Sequence, residues 1–167
     1  RHLTDAVTTL LPDLPVAAPL TIAPLATLSV PGSHDAVAVG AGDAASGAGA
    51  LLVLALHPNG QGVASAHRVP TSDLVVAGDA LGSSLAVLSP SSPDALVAVG
   101  APGRGVVFVL AVSALGQRSA ATAISSASHG SLADLDAATR FGAALASMDV
   151  DRDGRLELFV GAPASGS

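Results

Sequence analysis

The sequence predicts an all-β protein made of repeated four-stranded antiparallel units. Three observations carry that reading. Gly40-Ala41-Gly42, Gly100-Ala101-Pro102 and Gly161-Ala162-Pro163 recur at nearly equal intervals, each directly after a short apolar run. Leu25-Ala26, Leu85-Ala86 and Leu145-Ala146 recur on the same period. Ala-Leu-Leu-Val-Leu-Ala-Leu from Ala50 lines up with Val-Val-Phe-Val-Leu-Ala-Val from Val106. Recurrence of several landmarks on one long period marks a repeat architecture, and short aliphatic runs bounded by Gly, Pro, Asn and Ser read as strands.

Residues 1–23 carry the least information. Asp5 to Leu11 is compatible with a helical turn or a strand, and Pro12, Pro15 and Pro19 interrupt any longer element. The first unit spans 24–69, with strands expected at Leu25–Ser29, Ala36–Val39, Ala50–Leu56 and Val63–Val69. Its third and fourth strands are joined at His57-Pro58-Asn59-Gly60, where Asn-Gly readily takes the positive φ of a hairpin turn. The second unit spans 81–124, with strands expected at Ser84–Leu88, Ala95–Val99, Val106–Val112 and Arg118–Ile124. The third, 140–167, offers only Ala143–Met148 and Leu156–Val160, the first half of a unit. Pro70–Ala80 and Ser125–Ala138 connect the units and read as surface loops, with a short helical turn expected near Asp134–Thr139. In the third strands, Leu51, Val53, Val107 and Val109 should face one side and Leu52, Leu54, Val106, Phe108 and Leu110 the other. Both sides are apolar, as befits a sheet packed between two neighbours.

Between the two strands of the third unit lies Asp149-Val150-Asp151-Arg152-Asp153-Gly154-Arg155-Leu156-Glu157. Alternate carboxylates at Asp149, Asp151 and Asp153, a turn-forming Gly154 and a fourth carboxylate at Glu157 are what a calcium ion needs. It takes six to eight hard oxygen ligands, and the carbonyl of Arg155 would complete the set. The opening also fits an EF-hand, but that loop requires a bidentate Glu at its twelfth position, here Val160, and a helix on each side. Leu156–Val160 instead alternates as a strand. The equivalent turns, with Ser29, Pro31 and Ser33 in the first unit and Ser89, Ser91 and Pro93 in the second, lack carboxylates, so one calcium is expected.

Phe141-Gly142, the acidic loop and Gly161-Ala162-Pro163 together resemble the FG-GAP repeat, the blade unit of the integrin α-subunit β-propeller and of bacterial and algal surface proteins. The likeness is strong over 81–163, with Leu81-Gly82 in place of Phe-Gly. It is loose before that, where Thr21-Ile22 stands at the corresponding position. The resemblance implies propeller-type blades, two nearly complete and one half present. It implies an extracellular or cell-surface module, structural or adhesive, with a structural calcium. A closed propeller needs about four to eight blades. The partners implied are therefore further blades of the same protein or other copies of this chain joined head to tail, which could extend into a filament. The outward faces of the first and last units should be bare and apolar. Protein or glycan ligands on the loops, in a receptor or as an accessory domain of a secreted enzyme, form the alternative.

Composition narrows the field further. The net charge of −6, with no lysine, argues against nucleic acid and anionic membrane surfaces. Cysteine is absent, so no disulfide framework exists. No apolar run reaches bilayer length. Arg1 opens neither a charged n-region nor an apolar h-region, so the numbering is expected to begin inside a longer precursor. No nucleophile elbow occurs, and the histidines at 2, 34, 57, 67 and 129 lack metal-ligand spacing. Gly40-x-Gly42 fails the dinucleotide fingerprint at Ala45. Neither an enzyme nor a nucleotide binder is expected. Ser89, Ser91 and Ser92 lie in a Ser/Pro tract that reads as a rigid turn or as an O-glycan acceptor. The only Asn, Asn59, precedes Gly60-Gln61 and is no N-glycan acceptor.

Overall fold

The computed structural model describes residues 26–28, 36–41, 46–57, 62–89, 94–128, 130, 135 and 137–163. Ten strands form three antiparallel sheets, and no α-helix occurs among the described residues. β1 (Ala26–Leu28), β2 (Ala36–Ala41), β3 (Ala50–Leu56) and β4 (Val63–Arg68) pair in sequence order as a four-stranded meander. β5 (Leu85–Ser89), β6 (Ala95–Ala101), β7 (Val106–Val112) and β8 (Arg118–Ile124) repeat that order. β9 (Ala144–Met148) and β10 (Glu157–Gly161) form a two-stranded sheet. These are propeller-type blades, two of four strands and one of two. The first strands β1, β5 and β9 adjoin in succession, so the sheets stack through their leading strands.

The register repeats as closely as the order. Ala41 pairs with Ala50 and Ala101 with Val106, which closes the second and third strands of each blade at matching positions. Each third-to-fourth pairing shifts at matching sites, between Ala55 and Leu56 and between Ala111 and Val112. The middle strands are buried almost throughout, whereas β8 is largely exposed. Small and polar residues on that outer strand blunt an edge that would otherwise invite pairing.

Side-chain direction follows the expected alternation. Leu51 and Val53 of the first blade meet Val106, Phe108 and Leu110 of the second, in a core that also takes in Leu81, Val97 and Val99. Val107 points the other way, into a second joint with Ala98 and Phe141 that Leu145, Leu158 and Val160 of the third sheet help to close. Leu52 and Leu54 share the far face of the first blade with Val39, Ala41 and Ala50. That face was expected to be bare, yet all five residues are buried. Keeping a leucine side chain from water contributes about 1.5–3 kcal/mol, which an open face would forfeit. The third sheet does match expectation: Met148 is 56% and Phe159 46% exposed on its outward side.

The connection between the first two blades departs from a plain surface loop. Val69, Thr71, Asp79 and Leu81 are buried. The Asp79 carboxylate accepts the Val76 N–H at 2.9 Å and lies 3.6 Å from Arg104 Nε, while Arg104 donates to the Leu74 carbonyl at 2.7 Å. Arg118 donates to both oxygens of Asp73 at 2.8 and 2.7 Å. The segment crosses the joint between two sheets, where its backbone groups need partners that loop residues on open surface would find in water. The Arg118 hydrogen bond holds the Asp73 carboxyl below the usual carboxylate range. This contribution is complete above the ordinary carboxylate pKa and fades as pH falls through the lowered value. Farther on, 137–140 form a turn, closed by the Arg140 N–H to the Ala137 carbonyl at 3.2 Å. Residues 1–23, the Pro58-Asn59-Gly60 turn, His34, His129, Asp134, and Ser91 and Ser92 lie outside the described residues.

Candidate metal centre

β9 and β10 pair from Glu157↔Met148 to Gly161↔Ala144, so the segment between Met148 and Glu157 is a hairpin loop that must reverse the chain. Gly154 takes φ +86°, a conformation that costs glycine nothing. Arg152 also adopts a left-handed φ of +64°. A left-handed φ is uncommon outside glycine and is a steric outlier chiefly for β-branched side chains, which Arg152 is not.

The loop aims its carboxylates by the same device four times. Asp149 Oδ2 accepts the Gly154 N–H at 3.0 Å, Asp151 Oδ1 the Asp153 N–H at 3.1 Å, and Asp153 Oδ1 the Arg155 N–H at 2.8 Å. Glu157 Oε2 reaches back across the loop to the Val150 N–H at 2.7 Å. Each carboxylate thus spends one oxygen on orientation and keeps the other. Asp149, Asp151 and Asp153 each present an oxygen within 4.8 Å of the others. Glu157 shares the loop, though not that tight cluster of three. Asp149 Oδ1 is buried and has no hydrogen-bond partner. Buried polar atoms are otherwise satisfied almost everywhere in proteins.

These residues fit a divalent cation. Charges of one sign at this spacing repel by about 1 kcal/mol per pair even in bulk water, and the buried Oδ1 adds the cost of an unsatisfied acceptor, about 1–3 kcal/mol. A cation reverses the first and removes the second. Hard carboxylate and carbonyl oxygens suit calcium or magnesium, and several carboxylates gathered on one loop favour calcium.

A second concave feature lies at the opposite end of the blades. The β2–β3 loop and the connection after β4 are on the far side from the β9–β10 loop, by the antiparallel topology of each sheet. They frame a cleft of about 470 Å³ lined by Ser46, Arg68, Thr71 and Ser72 among others. Of the histidines, His67 faces Ser65, with Nε2 3.1 Å from its Oγ on the same strand, and no carboxylate orients the ring among the described residues.

Residues 141–167 match the family model of the FG-GAP repeat. The resemblance drawn from Phe141-Gly142, the acidic loop and Gly161-Ala162-Pro163 therefore holds for the half blade and its loop. Two complete blades of the same strand order precede it. A search of curated proteins finds no match to the chain. Among the described residues no helix is long and apolar enough to cross a membrane.

Proposed function

We propose that this chain is a non-catalytic structural module of an extracellular or cell-surface protein, an array of propeller-type blades in which one calcium ion fastens the β9–β10 hairpin. Asp149, Asp151, Asp153 and Glu157 supply side-chain oxygens, and Arg155 its carbonyl. The observation that carries this reading is the buried, unpartnered Oδ1 of Asp149 beside two further carboxylates. FG-GAP repeats are in general non-catalytic modules of extracellular domains and often bind calcium, which supports the compartment and the structural role. Further blades of the same protein or further copies complete the array, and Ser89, Ser91 and Ser92 are candidate O-glycan positions.

The test is thermal unfolding with and without chelator. A ligand that binds only the folded state at a hundred times its dissociation constant stabilises by about 2.7 kcal/mol. For a chain of this size the melting point is then expected to rise by roughly 5–10 °C in saturating calcium. Identical melting curves in calcium and in EGTA would defeat the proposal. The Ser- and Arg-lined cleft favours a second reading, a ligand-binding propeller domain of a receptor or secreted enzyme. Capture of a polar or anionic glycan that Arg68→Ala abolishes would support it.

A further inference from the structure

The joints between the blades repeat one contact. Gly82 and Gly142, the second residues of Leu81-Gly82 and Phe141-Gly142, have φ +85° and +88°. The Gly82 carbonyl presses on Gly40 of the preceding blade, and the Gly142 carbonyl on Gly100, so closely that a Cβ at either position would sit inside the oxygen. In the same way Leu81 is buried in the joint that holds Ala38, and Phe141 in the joint that holds Ala98. An apolar residue followed by a left-handed glycine is thus the plug, and the first glycine of each Gly-Ala dipeptide, with the residue two before it, is the seat.

The chain carries a third seat. Gly161 matches Gly40 and Gly100, and the Gly142 N–H donates to its carbonyl at 3.1 Å as the Gly82 N–H does to Gly100 at 2.9 Å. A Cβ on Gly161 would meet nothing nearer than the Ala144 side chain at 3.2 Å. Phe159, two residues before it, and Met148 on the neighbouring strand are 46% and 56% exposed. The opposite end differs on both counts. Ile22 occupies the plug position of the first unit, and a β-branched residue in the left-handed conformation of Gly82 and Gly142 is a steric outlier. The outer face of the first blade, from Val39 to Leu54, is already buried.

Resting on the propeller-blade reading above, we propose that the array is polar: the outward face of the β9–β10 sheet is a docking surface for a further repeat unit that carries an apolar-Gly plug, which seats on Gly161. A second copy of this chain does not fit there by its leading unit, because Ile22 replaces the glycine. The two existing joints show the occupant, since each seat is filled by a plug equally far downstream, Gly82 over Gly40 and Gly142 over Gly100. The second joint also has a Ser84 hydroxyl on the Gly142 carbonyl at 2.7 Å. The corresponding residues are Pro24 and Ala144, and the first joint closes without that bond.

Met148, the single methionine of the chain, reports on this face, because oxidation of methionine by peroxide follows exposure. The probe is the full chain extended after Ser167 by a copy of its own residues 107–163, in which the copied methionine is replaced by leucine. This places the copied Gly142 as far past Gly161 as Gly142 itself lies past Gly100. Peroxide oxidation of Met148 is expected to slow about tenfold in the extended chain. It should return to the unextended rate when the copied glycine is replaced by isoleucine. In the unextended chain the rate should not change between micromolar and millimolar protein. An extension that leaves Met148 unprotected, or protection that survives the isoleucine replacement, overturns the proposal. So does protection that grows with concentration of the unextended chain, which would assign the face to a second copy. Protection by the extension together with a melting point indifferent to calcium would remove the metal reading and leave the docking surface standing.

Discussion

Gly100→Ala is expected to lower the melting point on the order of 10 °C. The added Cβ falls inside the Gly142 carbonyl oxygen and against the Ser84 hydroxyl. Neither can yield freely, since Ser84 Oγ donates to that carbonyl and the Gly142 N–H is engaged by Gly161. Overpacking a filled interior costs about 1–3 kcal/mol and more where backbone must move. In a chain of this length each kcal/mol shifts the midpoint by about 2–4 °C. Gly161→Ala is the matched control. It adds the same methyl to the same kind of strand end, where the nearest atom is the Ala144 side chain at 3.2 Å and no other comes nearer than the Ala144 carbonyl at 3.6 Å, so its melting point should stay within about 2 °C of the parent. Calorimetry of the two variants side by side decides the matter. Equal destabilisation would mean that strand propensity, and not the joint between blades, sets the need for glycine.

The second large effect changes sign with calcium. Asp149→Asn keeps an acceptor for the Gly154 N–H but removes a charge from a cluster whose oxygens lie within 4.8 Å. In EGTA the variant should be at least as stable as the parent, because about 1 kcal/mol of repulsion per neighbouring pair is relieved. In saturating calcium it should be less stable by about 2–3 kcal/mol, the linkage contribution that binding supplies to the parent. Crossing of the two stability curves as calcium is added is the expected signature, read by denaturant unfolding at fixed pH. A variant that is less stable by the same amount in both conditions would mark Asp149 as a structural acceptor only.

How far the sequence discloses this molecule depends on the range of the interactions concerned. β3, β7 and β8 begin and end where the pattern of apolar residues places them. β2 and β6 run two residues farther, through Gly40-Ala41 and Gly100-Ala101. Glycine there reads as punctuation, but the pairing of Gly40 with Leu51 and Gly100 with Val107 needs only backbone. The acidic loop is legible because its carboxylates lie close together in the chain. The hydrogen bonds that aim them, above all Val150 N–H to Glu157, require the hairpin to be formed first. The Gly40–Gly82 and Gly100–Gly142 contacts are invisible to pattern, since nothing local distinguishes a glycine pressed by a distant carbonyl from one in a turn. Asp79 and Arg104 escape for the same reason. Each looks like a solvated loop charge until the connection folds over the joint. The burial of the first blade's outer face is not legible either, because counting blades says how many faces an array has, not what covers them.

Isothermal titration of the metal-free chain with calcium tests the central claim most directly. Saturable binding of one ion per chain is expected, lost in Asp149→Asn and retained in Ser89→Ala, whose turn offers no carboxylate. No saturable heat up to millimolar calcium, or a binding isotherm unchanged by Asp149→Asn, would contradict a calcium-fastened blade.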